Sequence, residues 1–157
     1  MMRYQHLGIL FALAAAALAW QSDLDAGGNK SDSKVKAKVE ATKIDANGAQ
    51  TVTVTLDILK GWHLYANPVN HEFLEGAETK VKITSKAKLK SARVMYPAGK
   101  THIDKKEKYD IYEGVVKIQA AVQRTPGDTN PLEVVIDVQA CDSSVCLQPG
   151  KLKFMVP

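Results

Sequence analysis

Hydrophobic and polar residues alternate along most of this chain, which is the period-two pattern of strands with one buried face. Between residues 51 and 58, Val, Leu or Ile stands at every even position and Thr or Asp at every odd one. Segments with this alternation, or with clustered aromatic and β-branched residues, are 35–41, 51–58, 62–65, 81–83, 89–96, 116–122, 132–140 and 151–156. We therefore predict about eight strands, and no amphipathic helix.

The connections between these segments contain the residues that usually interrupt strands. Residues 45–48 read DANG, which predicts a turn, and residues 124–131 read RTPGDTNP, which predicts a loop. Short strands with one solvated face are typical of antiparallel sheets, and their regular spacing is typical of sandwiches. We therefore expect an all-β fold, an immunoglobulin-like antiparallel β-sandwich.

The N-terminal residues follow a different pattern. A short start containing Arg3 precedes an apolar run over 7–19, which ends in Ala-Leu-Ala. That order is typical of a secretory signal peptide, and the run is short for a membrane span. We predict a signal peptide over 1–19, a flexible Gly/Ser/Asp-rich leader over 20–34 and one folded domain over 35–157. The protein is then periplasmic or otherwise exported.

Charge and composition exclude several functions. The net charge is +4, but the lysines are spread singly among apolar residues, so we expect the solvated face of a sheet and no nucleic-acid binding. The sequence contains no phosphate-binding loop and no nucleophile elbow. His63, His71, His102 and the two cysteines match no metal-binding spacing, so we expect no metal and no cofactor.

The two cysteines, Cys141 and Cys146, lie close together near the end of the chain. The predicted strand 132–140 runs into the first, and the strand 151–156 follows the second. The pattern therefore predicts a β-hairpin with both cysteines at its open tip, where another protein could reach them.

Two interpretations of this pair remain open on the sequence. A disulfide in an exported protein can be a structural bridge, or it can exchange electrons with a partner. A bridge between residues so close in sequence closes a loop of about six residues, which would contribute only about 2 kcal/mol in the chain-entropy account. A disulfide that closes so small a loop stabilises the fold only weakly, so the redox interpretation remains open.

Three stretches together carry a family resemblance: GWHLYANP, YDIYEGVVKI and QACDSSVCLQP, at residues 61–68, 109–118 and 139–149. In order and spacing they resemble the N-terminal periplasmic domain of the thiol:disulfide interchange protein DsbD, over residues 35–157. The resemblance implies an immunoglobulin-like sandwich with a redox-active cysteine pair. It also implies thioredoxin-like partners and a membrane electron-transfer protein, which here would be a separate chain.

The resemblance also assigns expected roles to individual residues. Cys141 and Cys146 match the redox pair, and Cys146 would be the cysteine linked to partners. His63 and Tyr65 stand where the family has aromatic residues near the cysteines. The family shields its disulfide with a cap loop that bears a phenylalanine, whereas the corresponding stretch here, 102–108, has no aromatic residue before Tyr109.

The residues themselves suggest modest intrinsic reactivity. Asp142 adjoins Cys141 and should disfavour a thiolate there, and no basic residue lies between the cysteines. His63 could orient a thiol or share a proton with it, although a histidine hydrogen-bonded within a sheet is the more ordinary interpretation. Tyr65 and Tyr109 fit packing roles.

Two hypotheses follow from these observations. The first is an exported domain that passes reducing equivalents to or from thioredoxin-like proteins, a thiol:disulfide oxidoreductase activity. The alternative is a non-enzymatic immunoglobulin-like binding or adaptor domain in which Cys141–Cys146 is a structural disulfide.

Overall fold

Eleven strands form three antiparallel sheets in the computed structural model, which describes residues 29–157. The strands are β1 (Val35–Ala41), β2 (Ala49–Ile58), β3 (His63–Tyr65), β4 (Lys80–Ser85), β5 (Ser91–Met95), β6 (Lys100–Asp104), β7 (Glu107–Tyr112), β8 (Val115–Gln123), β9 (Leu132–Val138), β10 (Ala140–Cys141) and β11 (Gly150–Val156). The sheet orders are β1-β2-β8-β5, β10-β3-β7-β6 and β11-β9-β4. The fold is the predicted immunoglobulin-like β-sandwich.

The main core lies between the first sheet and the third. Every second residue of β2, β8 and β9 is buried, as the alternation predicts, and these side chains meet those of β4. The fully buried members include Val52, Leu56, Leu132, Val134 and Ile136. Burial of one such side chain is worth about 1.5–3 kcal/mol, so these side chains stabilise the packing of the two sheets.

The second sheet carries a smaller core of its own. It consists of Tyr65, Val69, Ile111 and Cys141, with Tyr109 and two neighbours packed partly against it. One half of the cysteine pair is therefore built into the interior of the sandwich.

Three features differ from the sequence predictions. β6 and β7 form a hairpin that the alternation did not reveal. The predicted strand 132–140 is divided at Gln139, because β9 pairs with β4 and β11 whereas β10 pairs with β3. The ordered domain also begins earlier than residue 35, since Ser31–Lys34 forms a 3-10 helix in which Ser31 is fully buried.

The other end of the predicted leader and the predicted signal peptide lie outside the described residues. Within 29–157, no helix has the length and apolar character needed to cross a membrane.

Candidate redox site

The hairpin formed by β9 and β11 carries both cysteines in its connection, as the sequence predicted. Cys141 and Cys146 form a disulfide, with the two Cα atoms 4.0 Å apart. The backbone leaves β9 at Gln139 and joins the second sheet as β10, where Cys141 lies directly opposite His63 of β3. The disulfide is therefore held at the junction of two sheets.

The two ends of this disulfide differ in exposure. Cys141 is 2% exposed and belongs to the small core, whereas Cys146 is exposed to solvent. Val145, beside Cys146, is an exposed hydrophobic residue. A second protein would therefore meet the disulfide at Cys146.

Tyr65 is the polar side chain that contacts both sulfur atoms. Its hydroxyl oxygen lies 3.5 Å from Sγ of Cys141 and 3.7 Å from Sγ of Cys146. Because a disulfide sulfur has no proton, the Tyr65 O–H is the donor and a sulfur is the acceptor. Burial raises the pKa of Tyr65, so the phenol keeps its proton at neutral pH.

A layer of aromatic and histidine rings lies beside the disulfide. The His63 and His102 rings are stacked with centroids 5.6 Å apart, and the His102 and Tyr109 centroids are 5.3 Å apart. Tyr109 meets the Tyr65 ring edge-on at 5.7 Å. The β6–β7 hairpin positions this layer, because His102 of β6 pairs with Tyr109 of β7.

Residues 32–156 match the family model described as "Thiol:disulfide interchange protein DsbD, N-terminal". The chain belongs to this family. No curated protein matches the sequence at a significant level.

Comparison with solved structures gives several matches to this chain. The N-terminal periplasmic domain of ScsB from Proteus mirabilis matches with a TM-score of 0.56 and 19% identity, over 75% of this chain and 45% of that one. The reduced DsbD n-terminal domain of Neisseria meningitidis matches with a TM-score of 0.46 and 16% identity, over 80% and 86% of the two chains. The complex between the DsbD N-terminal and the PilB N-terminal domains from the same organism matches with a TM-score of 0.47 and 18% identity. The match covers 76% of this chain and 80% of that one. This chain thus spans less than half of the ScsB chain.

Residues 102–108 form the end of β6, the turn of the hairpin and the start of β7. Lys105 in its turn has a φ of 55°, and Ile103 is 71% exposed. The aromatic side chains of this hairpin lie below the tip, where Tyr109 packs on Tyr65. The hairpin therefore contributes rings to the side of the site, while Cys146 remains exposed.

His63 has an unusual environment for a histidine within a sheet. It is 9% exposed, and its Nε2 is buried with no hydrogen-bond partner among the described residues. Burial lowers the pKa of His63, the neighbouring His102 lowers it further, and Glu113 and Asp142 oppose the shift. The imidazole is therefore neutral at pH 7.

Asp142 fixes the conformation of the loop between the cysteines. Its Oδ1 accepts hydrogen bonds from the backbone N–H groups of Ser144 (2.7 Å) and Val145 (2.8 Å). These bonds lower the pKa of Asp142, so its carboxylate stays charged. Its negative charge adjoins Cys141, where it disfavours a thiolate.

Ser31 connects the N-terminal segment to the same loop. Its hydroxyl oxygen accepts a hydrogen bond from the N–H of Ala140 and donates one to the carbonyl of Gln148, both 2.8 Å long. Ala140 precedes the first cysteine, and Gln148 follows the second by two positions. One buried side chain thus links both ends of the cysteine loop.

The structure brings the predicted site residues together. Cys141, Cys146, His63, Tyr65 and Tyr109 lie in one cluster, in which the Tyr65 ring packs against His63 and Tyr109 and its hydroxyl contacts the sulfurs.

Sequence reasoning considered His102 only as a metal ligand, not as a ring beside the disulfide, and did not identify Ser31. The β-branched residues Thr101 and Ile103, which flank His102, favour a strand at this position. A charged turn and the segment of β7 follow them, which is the order of a hairpin. Ser31 gave no signal, because its partners lie 109 and 117 residues away.

We looked for groups of potential metal ligands in the part of the chain that the structure describes. No group of three or more His, Cys, Asp or Glu side chains there is placed to hold a metal ion.

Proposed function

We propose that this domain exchanges disulfides with thioredoxin-like proteins through Cys141 and Cys146. Membership of the DsbD N-terminal family supports the chemistry. The observation that carries the proposal is the asymmetry of the disulfide, in which Cys146 is exposed while Cys141 is 2% exposed. A bridge with one accessible end presents a defined point of attack and keeps the other sulfur for the second step.

The exchange follows from this arrangement. A thiolate of the partner attacks Sγ of Cys146, the Cys141–Cys146 bond breaks, and Cys141 leaves as a thiolate with the bonding electron pair. The Tyr65 hydroxyl, already 3.5 Å from Sγ of Cys141, donates a hydrogen bond to that thiolate. A second thiolate of the partner then attacks the partner sulfur of the mixed disulfide, its bond to Cys146 breaks, and Cys146 leaves as a thiolate with the electron pair. The domain gains two electrons and two protons, and the partner becomes a disulfide.

The reverse sequence passes electrons from the domain to a partner disulfide. Cys146 is then the attacking thiolate and Cys141 resolves the mixed disulfide. The proposal covers both directions, since the same atoms take part in each.

The proposed setting is the periplasm or another exported compartment, where disulfides persist. The signal-peptide pattern over residues 1–19 supports export. A separate membrane protein that exchanges electrons with thioredoxin-like domains is the second proposed partner.

An exchange assay tests the proposal. The oxidised domain is mixed with a reduced thioredoxin-fold protein, and trapped thiols are counted by mass spectrometry. We expect transfer of two electrons to Cys141–Cys146, and none in the Cys141→Ser/Cys146→Ser double variant, which should still fold. Absence of exchange in the parent, together with a large loss of stability in the double variant, would instead support the adaptor with a structural disulfide.

A further inference from the structure

His63 is a buried histidine of the second sheet. It lies directly opposite Cys141 in the β3–β10 pairing, and directly opposed residues point to the same face of a sheet. Tyr65, two residues on and on the same face, touches both sulfur atoms. The His63 ring therefore belongs to the face of β3 that meets the disulfide.

The unpaired Nε2 of His63 has an explanation in this arrangement. A buried polar nitrogen without a partner is unfavourable, so such groups are rare in folded proteins. The disulfide has no proton to offer, whereas the reduced Cys141 carries an S–H group. Reduction therefore supplies an S–H donor on the residue opposite His63 in the β3–β10 pairing.

We propose that His63 is the proton carrier for Cys141 during disulfide exchange. The inference rests on the proposed function and deepens it by assigning the proton that the buried sulfur must lose and regain. Cys146 is exposed and can exchange its proton with water, but Cys141 is buried and needs a carrier within the protein.

This proton transfer occurs when the domain reduces a partner disulfide. In the mixed disulfide between Cys146 and the partner, Nε2 of neutral His63 takes the proton of the Cys141 thiol. The resulting thiolate attacks Sγ of Cys146, the bond from Cys146 to the partner breaks, and the partner sulfur leaves with the electron pair. The imidazolium then releases its proton to solvent. When the partner reduces the domain, His63 first takes up a proton from solvent, and the imidazolium then gives that proton to the departing Cys141 thiolate.

The charged and titratable groups around His63 suit this role. His102 of β6 stacks on it, Glu113 follows β7, Asp142 follows β10, and Tyr65 lies on the same strand. Burial and His102 lower the pKa of His63 below the ordinary value of 6.5, which keeps the imidazole available as a base at neutral pH. Asp142 and Glu113 provide negative charge that stabilises the imidazolium once it forms.

The test isolates the resolving step. The reduced protein reacts with 5,5′-dithiobis(2-nitrobenzoic acid), and the exposed Cys146 forms the first mixed disulfide. Attack by Cys141 then releases a second nitrothiobenzoate ion, whose absorbance gives the rate as a function of pH. In the parent we expect this rate to hold from neutral pH down to the pKa of His63 and to fall below it.

In His63→Gln we expect the second release at about pH 7 to slow by about 100-fold, and its rate to rise with pH through the ordinary thiol range. His71→Gln is the matched control, because His71 is also half-buried beside Tyr109 but is paired with Glu107. It should leave both rate and pH profile unchanged.

His102→Gln retains His63 and removes one group that lowers its pKa. The fall in rate should therefore move to higher pH, a shift that a purely structural role for the rings would not produce. This variant keeps the test decisive if His63→Gln does not fold.

An unchanged rate and pH profile in His63→Gln, or an unchanged profile in His102→Gln, would overturn the inference. Failure of the proposed function has a different signature, since the parent would then fail to exchange with thioredoxin-fold proteins at all.

Discussion

The hydroxyl oxygen of Ser31 accepts a 2.8 Å hydrogen bond from the backbone N–H of Ala140, the residue that precedes the first cysteine. Both groups are fully buried. The same hydroxyl donates to Gln148 beyond the second cysteine, and the N–H of Ser31 also bonds to that carbonyl at 2.9 Å. The residues just before β1 therefore hold both ends of the cysteine loop. Only glycine fits at position 150, because a Cβ there would lie 2.5 Å from the backbone nitrogen of Asp32.

Ser31→Ala should lower the free energy of unfolding by about 1–3 kcal/mol, because the buried Ala140 N–H loses its acceptor. Urea unfolding of the oxidised protein measures this. Ser33→Ala is the control, since Ser33 is exposed and bonds only to the carbonyl of Lys30. Equal stability of the two variants would show that the N-terminal segment contributes little to the loop.

Single cysteine variants should differ in their ability to capture a partner. Cys141→Ser keeps the exposed Cys146 and removes the resolving thiol, so it should accumulate a mixed disulfide with an oxidised thioredoxin-fold protein. Cys146→Ser keeps only the buried Cys141 and should form little of this species. Non-reducing electrophoresis with mass spectrometry reads the yield. A higher yield from Cys146→Ser would reverse the assigned roles.

Tyr65→Phe removes the hydroxyl that contacts both sulfurs while retaining the ring. The Cys141 thiolate then loses a donor worth about 1 kcal/mol, so disulfide exchange should slow by about fivefold and the pKa of the Cys141 thiol should rise. Stopped-flow exchange kinetics and thiol titration check these effects.

The control for this change is Tyr109→Phe. Tyr109 packs against the Tyr65 ring, and no hydrogen bond joins its hydroxyl to a sulfur in the described chain. Its exchange rate should match the parent. An equal reduction of the rate in both variants would mean that ring packing, and not the Tyr65 hydroxyl, sets the rate.

Alternation predicted the strands that have one buried and one solvated face. β8 shows this clearly, since its buried positions are the predicted apolar ones, and β2 does so from Val52 onward, whereas its buried Gln50 is polar. The β6–β7 hairpin was not predicted, because β6 contains only one partly buried residue, His102, and a highly charged turn follows it. The break of the predicted strand at Gln139 was not predicted, because the apolar pattern continues through this position. The change of sheet depends on the pairing of β10 with β3.

The site was predictable to the extent that it rests on local sequence. The cysteines, His63 and Tyr65 stand in short motifs that carry the family resemblance. The unequal burial of the cysteines and the stacking of His63 on His102 depend on the meeting of β3, β6 and β10, which no single segment encodes.

The reduction potential of the Cys141–Cys146 pair tests the central claim most directly. Equilibration in graded thiol buffers, followed by mass-spectrometric trapping, gives its value. The proposed exchange function predicts a potential between about −180 and −270 mV, the range of thioredoxin-type exchange proteins. A potential below about −300 mV would contradict it and identify the bridge as structural.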